Sequence, residues 1–190
     1  MGARCFVIMA IGDQQFENRV VNAQELRKLY DDLIREALLK ARPDLEVHRA
    51  DELAPSGDIT ADVFERIADS DFVVVDITYP NPNVFYELGL RHASRSGTIL
   101  IRQKMKGGPP FDISALRHIE YENTASGLKE LALNLKKAFV YHDEHVGRPD
   151  NQFLRIAEPR YALPPAGQAY QVLQIGKDGK PVWDWVRVHG

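Results

Sequence analysis

The chain has 190 residues, 44% of them hydrophobic, with 24 basic side chains against 27 acidic ones and a formal net charge of -3. That is enough apolar mass for one well-formed core. The interspersed charges form no basic stripe of the kind that grips a phosphate backbone, so nucleic acid is not an expected partner. The single cysteine, Cys5, rules out an intramolecular disulfide, and no apolar run reaches membrane-spanning length.

The opening Met1-Gly2-Ala3-Arg4 leads into a strand too short for a signal-peptide core, and Phe6 stands where a myristoylation signal wants a hydroxyl, so a cytoplasmic, membrane-free protein is expected. Cys5 to Met9 is a short apolar run of strand length, and Gly12 and Asp13 signal the turn after it. From about Asn18 to Ala41, Leu26, Leu29, Tyr30, Leu33, Ala37 and Leu38 recur at helical spacing until Pro43. Leu45 to His48 predicts a second strand. Ile59 to Ala68 predicts a second helix, entered through the turn Pro55-Ser56-Gly57-Asp58. Phe72-Val73-Val74-Val75 is β-branched without polar alternation, as a central strand buried on both faces should be.

A helix over 84–94, strands over 98–101 and 118–121 and a helix over 126–139 complete an alternating pattern, which means parallel pairing. The expected fold is α/β: a flavodoxin-like, doubly wound, five-stranded parallel sheet with helices on both faces. Residues 1–142 would form this domain. Residues 143–190 would be an extension, with a linker over 143–149 and a C-terminal β-hairpin in which two alternating runs, 169–175 and 181–188, flank Gly176-Lys177-Asp178-Gly179-Lys180. A lone hairpin is marginal in water, so it is expected to pack on the core or on another subunit in a dimer or higher homo-oligomer. Trp183 and Trp185 alternate with Asp184, as packing side chains on one strand face would.

An open parallel sheet binds ligands outside the carboxyl ends of its strands, where the strand order reverses. Three polar loops share that edge: 10–14, 49–58 and 76–86. In the third, Asp76 ends the central strand, where it can bind a ribose hydroxyl or orient the loop, and either Asn81 or Asn83 can cap the following helix. Glu87 lies early in that helix, near the positive end of the dipole, where an ionised carboxylate is favoured. Such a group suits nucleophilic attack on an anomeric carbon. A surface ion pair with Arg91, one turn on, is the plainer alternative.

The stretch Asp71 to Thr78, followed by Asn81-Pro82-Asn83-Val84-Phe85-Tyr86-Glu87-Leu88-Gly89-Leu90-Arg91-His92-Ala93, resembles the signature of nucleoside 2-deoxyribosyltransferase-like proteins. Cys5 to Met9, Arg49-Ala50-Asp51 and 111–117 resemble a prokaryotic, TIR-like branch of that superfamily, and the likeness covers roughly residues 4 to 140. The resemblance implies that Glu87 is the nucleophile, that Asn81 contacts the ligand near its sugar or phosphate, and that the loop around Ala10 and Gly12 closes over base or sugar. The family's second carboxylate has its nearest match in Asp62, displaced by one residue. Where that branch usually carries Pro-Phe-Gly, this chain has Ala10-Ile11-Gly12.

Arg117 can grip a phosphate or pair with Asp112 or a helix carboxylate. Asp51 and Glu52 follow the second strand, where acids can read ribose hydroxyls or simply be solvated. His92 is placed in the core or on the surface. No metal-ligand spacing, Walker loop or full Gly-x-Gly-x-x-Gly occurs, so no metal and no cofactor are expected. The expected function is cleavage or transfer of an N-glycosidic bond on a nucleoside or nucleotide through a glutamate nucleophile. The alternatives are a TIR-like NAD glycohydrolase and a non-catalytic nucleotide-sensing module.

Overall fold

The first apolar run becomes strand β1 (Arg4–Ile8), buried from Cys5 onward. In the computed structural model it is followed by an antiparallel hairpin, β2 (Gln14–Phe16) with β3 (Arg19–Val21). Residues 2–16, 18–52, 59–105, 116–161, 169–175 and 181–187 are described. The hairpin corrects the expectation of a helix from Asn18. Asn22 Oδ1 accepts from the Glu25 amide at 2.9 Å while Glu25 Oε2 accepts from the Asn22 amide at 3.1 Å, a reciprocal box that starts the helix at Ala23. The residues before the box are left to β3. The helical segment then runs as α1 (Ala23–Leu29), a π-helical stretch (Tyr30–Arg35) and α2 (Glu36–Ala41).

Strand β4 (Glu46–Arg49), helix α3 (Ile59–Asp69), strand β5 (Phe72–Asp76) and helix α4 (Pro82–Ser94) follow. Then come strands β6 (Thr98–Gln103) and β7 (His118–Tyr121) and helix α5 (Ala125–Glu144). Residues 53–58, which hold the expected turn 55–58, and residues 106–115, which include Asp112, lie outside the described residues.

The five long strands pair in parallel in the order β4-β1-β5-β6-β7. This is the expected flavodoxin-like α/β fold. Burial on both faces explains why β5 has no polar alternation. Phe72 and Val74 point into one core layer with Leu33, Leu38, Leu131, Leu135 and Phe139, whereas Val73 and Val75 point into the other with Val63, Ile67, Val84 and Leu88. Helices α1, α2 and α5 thus cover one face and α3 and α4 the other. Cys5, fully buried in the first layer, has its thiol pushed up to about 12 by that burial.

The chain divides into two units, Met1–Leu154 and Arg155–Gly190. The first therefore continues past residue 142, and the expected linker is partly structured. Helix α5 extends to Glu144. Asp150 Oδ2 accepts from the amides of Gly97 and Thr98 at 2.8 Å each, and Asn151 Oδ1 accepts from the Leu154 amide at 3.0 Å at the start of helix α6 (Gln152–Tyr161). The second unit carries the hairpin, β8 (Ala169–Ile175) antiparallel to β9 (Pro181–Arg187), with Leu173 opposite Trp183 and Gln171 opposite Trp185. The expected turn over 176–180 lies outside the described residues, as does Val188. No helix among the described residues is long and apolar enough to cross a membrane.

Candidate functional site

The strand order reverses between β1 and β5: the chain leaves β1 for β4 on one side and returns by α3 to β5 on the other. That reversal places the crevice at the carboxyl ends of β1 and β5. Ala10 is buried at the end of β1, and Gly12 is exposed on the rim, with open space where a β-carbon would sit.

Asp76 ends β5 and is 4% exposed. Its Oδ1 accepts from the Thr78 amide at 2.9 Å and from the Thr78 hydroxyl, and its Oδ2 accepts from the Tyr121 hydroxyl at 2.7 Å. Thr78 Oγ1 in turn accepts from the Gln103 amide at 2.8 Å. Burial pushes the Asp76 carboxyl up, against the donors from Thr78 and Tyr121 and the nearby Arg102 charge. Of the two roles open to Asp76, these bonds serve the orienting one, because each oxygen is already engaged in holding the loop.

Asn81 is the residue that caps α4. Its Oδ1 accepts from the amides of Asn83 and Val84 at 2.9 and 3.3 Å, and Pro82 occupies the first turn. Asn83 contributes that amide and is otherwise exposed. The Asn81 Nδ2 donates to Gln14 Oε1 at 3.0 Å, and Gln14 Nε2 donates to the carbonyls of Gly12 and Asp13 at 2.7 and 2.9 Å. Phe16 meets Tyr79 edge to face, with centroids 5.8 Å apart and planes at 79°.

Glu87 lies in the second turn of α4, on the flank of the stripe formed by Val84, Leu88 and Arg91. It is half-buried, and burial raises its carboxyl to about 6. The surface pair with Arg91 does not form. Arg91 is 0% exposed and donates instead to the carbonyls of Ile67 and Ser70 from Nη1 and of Asp71 and Ser96 from Nη2. Among the described residues no hydrogen bond or ion pair reaches the Glu87 carboxylate.

The other two predicted site residues fall elsewhere. A cleft of about 330 Å³ runs along α3 beside the edge strand β4, where Asp62 lines it with Glu46, His48 and Arg66; Glu87 does not line it. The two predicted carboxylates therefore do not share that cleft. Arg117 is exposed immediately before β7, at the amino end of a parallel strand, and so at the sheet edge opposite the crevice.

Asp51 and Glu52 are held in a network rather than simply solvated. Arg49, 1% exposed, donates to Asp51 from Nε at 2.6 Å and also from Nη2, stacks 4.5 Å over the Tyr30 ring, and donates from Nη1 to Met9 Sδ at 3.4 Å. Arg27 joins Asp51 and Glu52 at 3.2 and 3.1 Å, and Tyr30 donates to Glu52 at 3.2 Å. Burial pushes the Asp51 carboxyl up, but Arg49 and Arg27 outweigh it and hold it below its ordinary value. His92 is half-buried, and burial lowers its imidazole. Among the described residues no group of three acidic, histidine or cysteine side chains could hold a metal ion.

Sequence reasoning missed Gln14, Phe16, Tyr79 and Tyr121. The alternation of Gln14-Gln15-Phe16 against Arg19-Val20-Val21 across a short polar turn was the available signal for the first two. Nothing local marks Tyr121 as a partner of Asp76, because 45 residues separate them.

The fold defines a flavodoxin-like α/β protein. No family model matches the chain, and no curated protein matches it. Among solved structures it is similar to the flavodoxin-like domain of a Synechococcus protein, at 12% identity over 75% of this chain and 99% of that one, with a TM-score of 0.40.

Proposed function

We propose that this protein breaks or exchanges the N-glycosidic bond of a nucleoside, nucleotide or NAD, with Glu87 as the nucleophile. One observation carries the reading: Glu87 is a half-buried carboxylate, raised to about 6 by burial and without a partner among the described residues. At pH 7 such a group is ionised by roughly ten to one. Because it is partly desolvated, it meets developing positive charge more strongly than a solvated carboxylate does. The resemblance of 71–93 to deoxyribosyltransferase-like proteins supplies the substrate class.

In the proposed step a Glu87 oxygen bonds to C1′ as the C1′–N bond breaks. The bonding pair leaves with the base nitrogen: a purine or pyrimidine then takes a proton from solvent, whereas the pyridinium of NAD leaves directly as neutral nicotinamide. Water or a second base then attacks C1′ and releases Glu87, giving hydrolysis or transfer. Asp62, which lines the α3 cleft, is not assigned a part in this step.

The test is to incubate the protein with deoxynucleosides, nucleoside monophosphates and NAD and to measure released base by chromatography, with Glu87→Gln as control. Release by the wild type, reduced roughly a thousandfold or more by the substitution, is expected. Undiminished release by Glu87→Gln removes the mechanism. Release from NAD alone selects the glycohydrolase, and binding without turnover selects a nucleotide-sensing module.

A further inference from the structure

The β2–β3 hairpin lies outside the five-stranded sheet, and two side-chain ties join it to the loop between β5 and α4. At its base, Gln14 Oε1 accepts from Asn81 Nδ2 at 3.0 Å. Towards its tip, the Phe16 ring sits edge to face with Tyr79, 5.8 Å away. The same hairpin is hinged on α1: Asp13 Oδ1 accepts from the Ala23 amide at 2.8 Å, and Val21, which pairs with Gln14, is buried in the core. The ion pair from Arg19 to Glu25 joins two exposed side chains and contributes little to closure.

The chemistry of the two ties is specific. Asn81 spends its Oδ1 on the helix cap, so its Nδ2 is the group it can offer a ligand, and Gln14 occupies it. Tyr79 offers a half-buried ring, and Phe16 occupies that. Gln14 and Phe16, two residues apart on β2, thus present an oxygen acceptor and a flat ring, the same pair that a nucleoside presents through its sugar or phosphate oxygens and its base.

We infer that the β2–β3 hairpin is a gate over the crevice at the ends of β1 and β5, latched by Gln14 on Asn81 and by Phe16 on Tyr79, and that a nucleoside-class ligand displaces both latches. The ligand half of this inference rests on the reading given under Proposed function; the latch half does not. A closed gate lowers apparent affinity by the fraction of molecules that are open, so weakening a latch tightens binding.

Hydrogen exchange on the full chain tests the latch. In Gln14→Ala and, separately, in Phe16→Leu, the amides of 14–16 and 19–21 are expected to exchange about fivefold faster than in the wild type, while those of β5 are unchanged. Both residues are half-buried at the surface, so neither change threatens the fold. Hairpin amides that keep the wild-type rate in both variants overturn the gate.

Calorimetric titration of deoxyadenosine and of adenosine 5′-monophosphate into Glu87→Gln, with and without Gln14→Ala, tests the displacement. Binding about fivefold tighter in the double variant supports it. Equal or weaker binding alongside faster exchange shows a latch that the ligand does not displace and overturns that half. Absence of binding in every variant overturns the nucleoside reading itself, while the exchange rates still decide the latch.

Discussion

The Tyr121 hydroxyl donates to Oδ2 of Asp76 at 2.7 Å across the end of β6, joining two strands that do not pair with each other. Both residues are nearly inaccessible, so no water can take over the bond if it is lost.

Tyr121→Phe removes that donor and leaves the buried Asp76 carboxylate with the Thr78 hydrogen bonds and the nearby Arg102 charge. The expected cost is about 1–3 kcal/mol at pH 7, read by urea denaturation. Burial already raises Asp76 above its ordinary value in the folded state, and losing the donor raises it further. A raised carboxyl favours the fold below its unfolded pKa and opposes it as pH climbs, so the cost should shrink on acidification.

Glu87→Gln should stabilise the protein at neutral pH. The carboxyl is raised to about 6 in the folded chain, so it gives up its proton less readily there than in the unfolded chain. The penalty is absent below about pH 4.5 and complete above pH 6 to 7, at no more than about 1 kcal/mol after allowance for its half-exposure. Denaturation midpoints of the two proteins should coincide at pH 4.5 and separate at pH 7.5. A gap that widens on acidification contradicts this sign.

Gly97→Ala should be strongly destabilising. Gly97 has φ +96°, and a β-carbon there would lie 2.3 Å from the Asp71 carbonyl oxygen and 2.9 Å from Arg91 Nη2. The backbone conformation alone costs an alanine about 1–2 kcal/mol. Relieving the carbonyl clash would pull on the Arg91 clamp, so a loss above about 2 kcal/mol in the urea midpoint is expected.

Asp150→Ala should loosen the end of the first unit without touching its core. It leaves the Gly97 and Thr98 amides without their carboxylate acceptor. Exchange at those two amides should accelerate severalfold, and stability should fall by about 1–3 kcal/mol. Asp150→Asn, which keeps an oxygen in place, should recover part of both.

The sheet was legible because its information is local. Val73, Val74 and Val75 carry their own burial pattern, and Asn81-Pro82 writes a helix start in two residues. The β2–β3 hairpin was not, because the helical spacing of Leu26 to Leu38 invites extension backward over Asn18 until the reciprocal bonds of Asn22 and Glu25 are noticed. Glu87 was visible as a carboxylate early in a helix, but its state was not. Whether Arg91 pairs with it depends on four carbonyls contributed by the end of α3, the start of β5 and the turn after α4, none of them on the face the two residues share. Arg117 illustrates the converse: a plausible phosphate grip by residue type, but strand direction sends it to the other edge.

Cys5 also makes the molecule a reporter on itself. Its sulfur is enclosed near the start of β1 and held as the unreactive thiol. An alkylating reagent at neutral pH should therefore modify the chain once, and only in molecules whose sheet has come apart. Mass gain with time would then read how often the whole domain is open, with no engineered label.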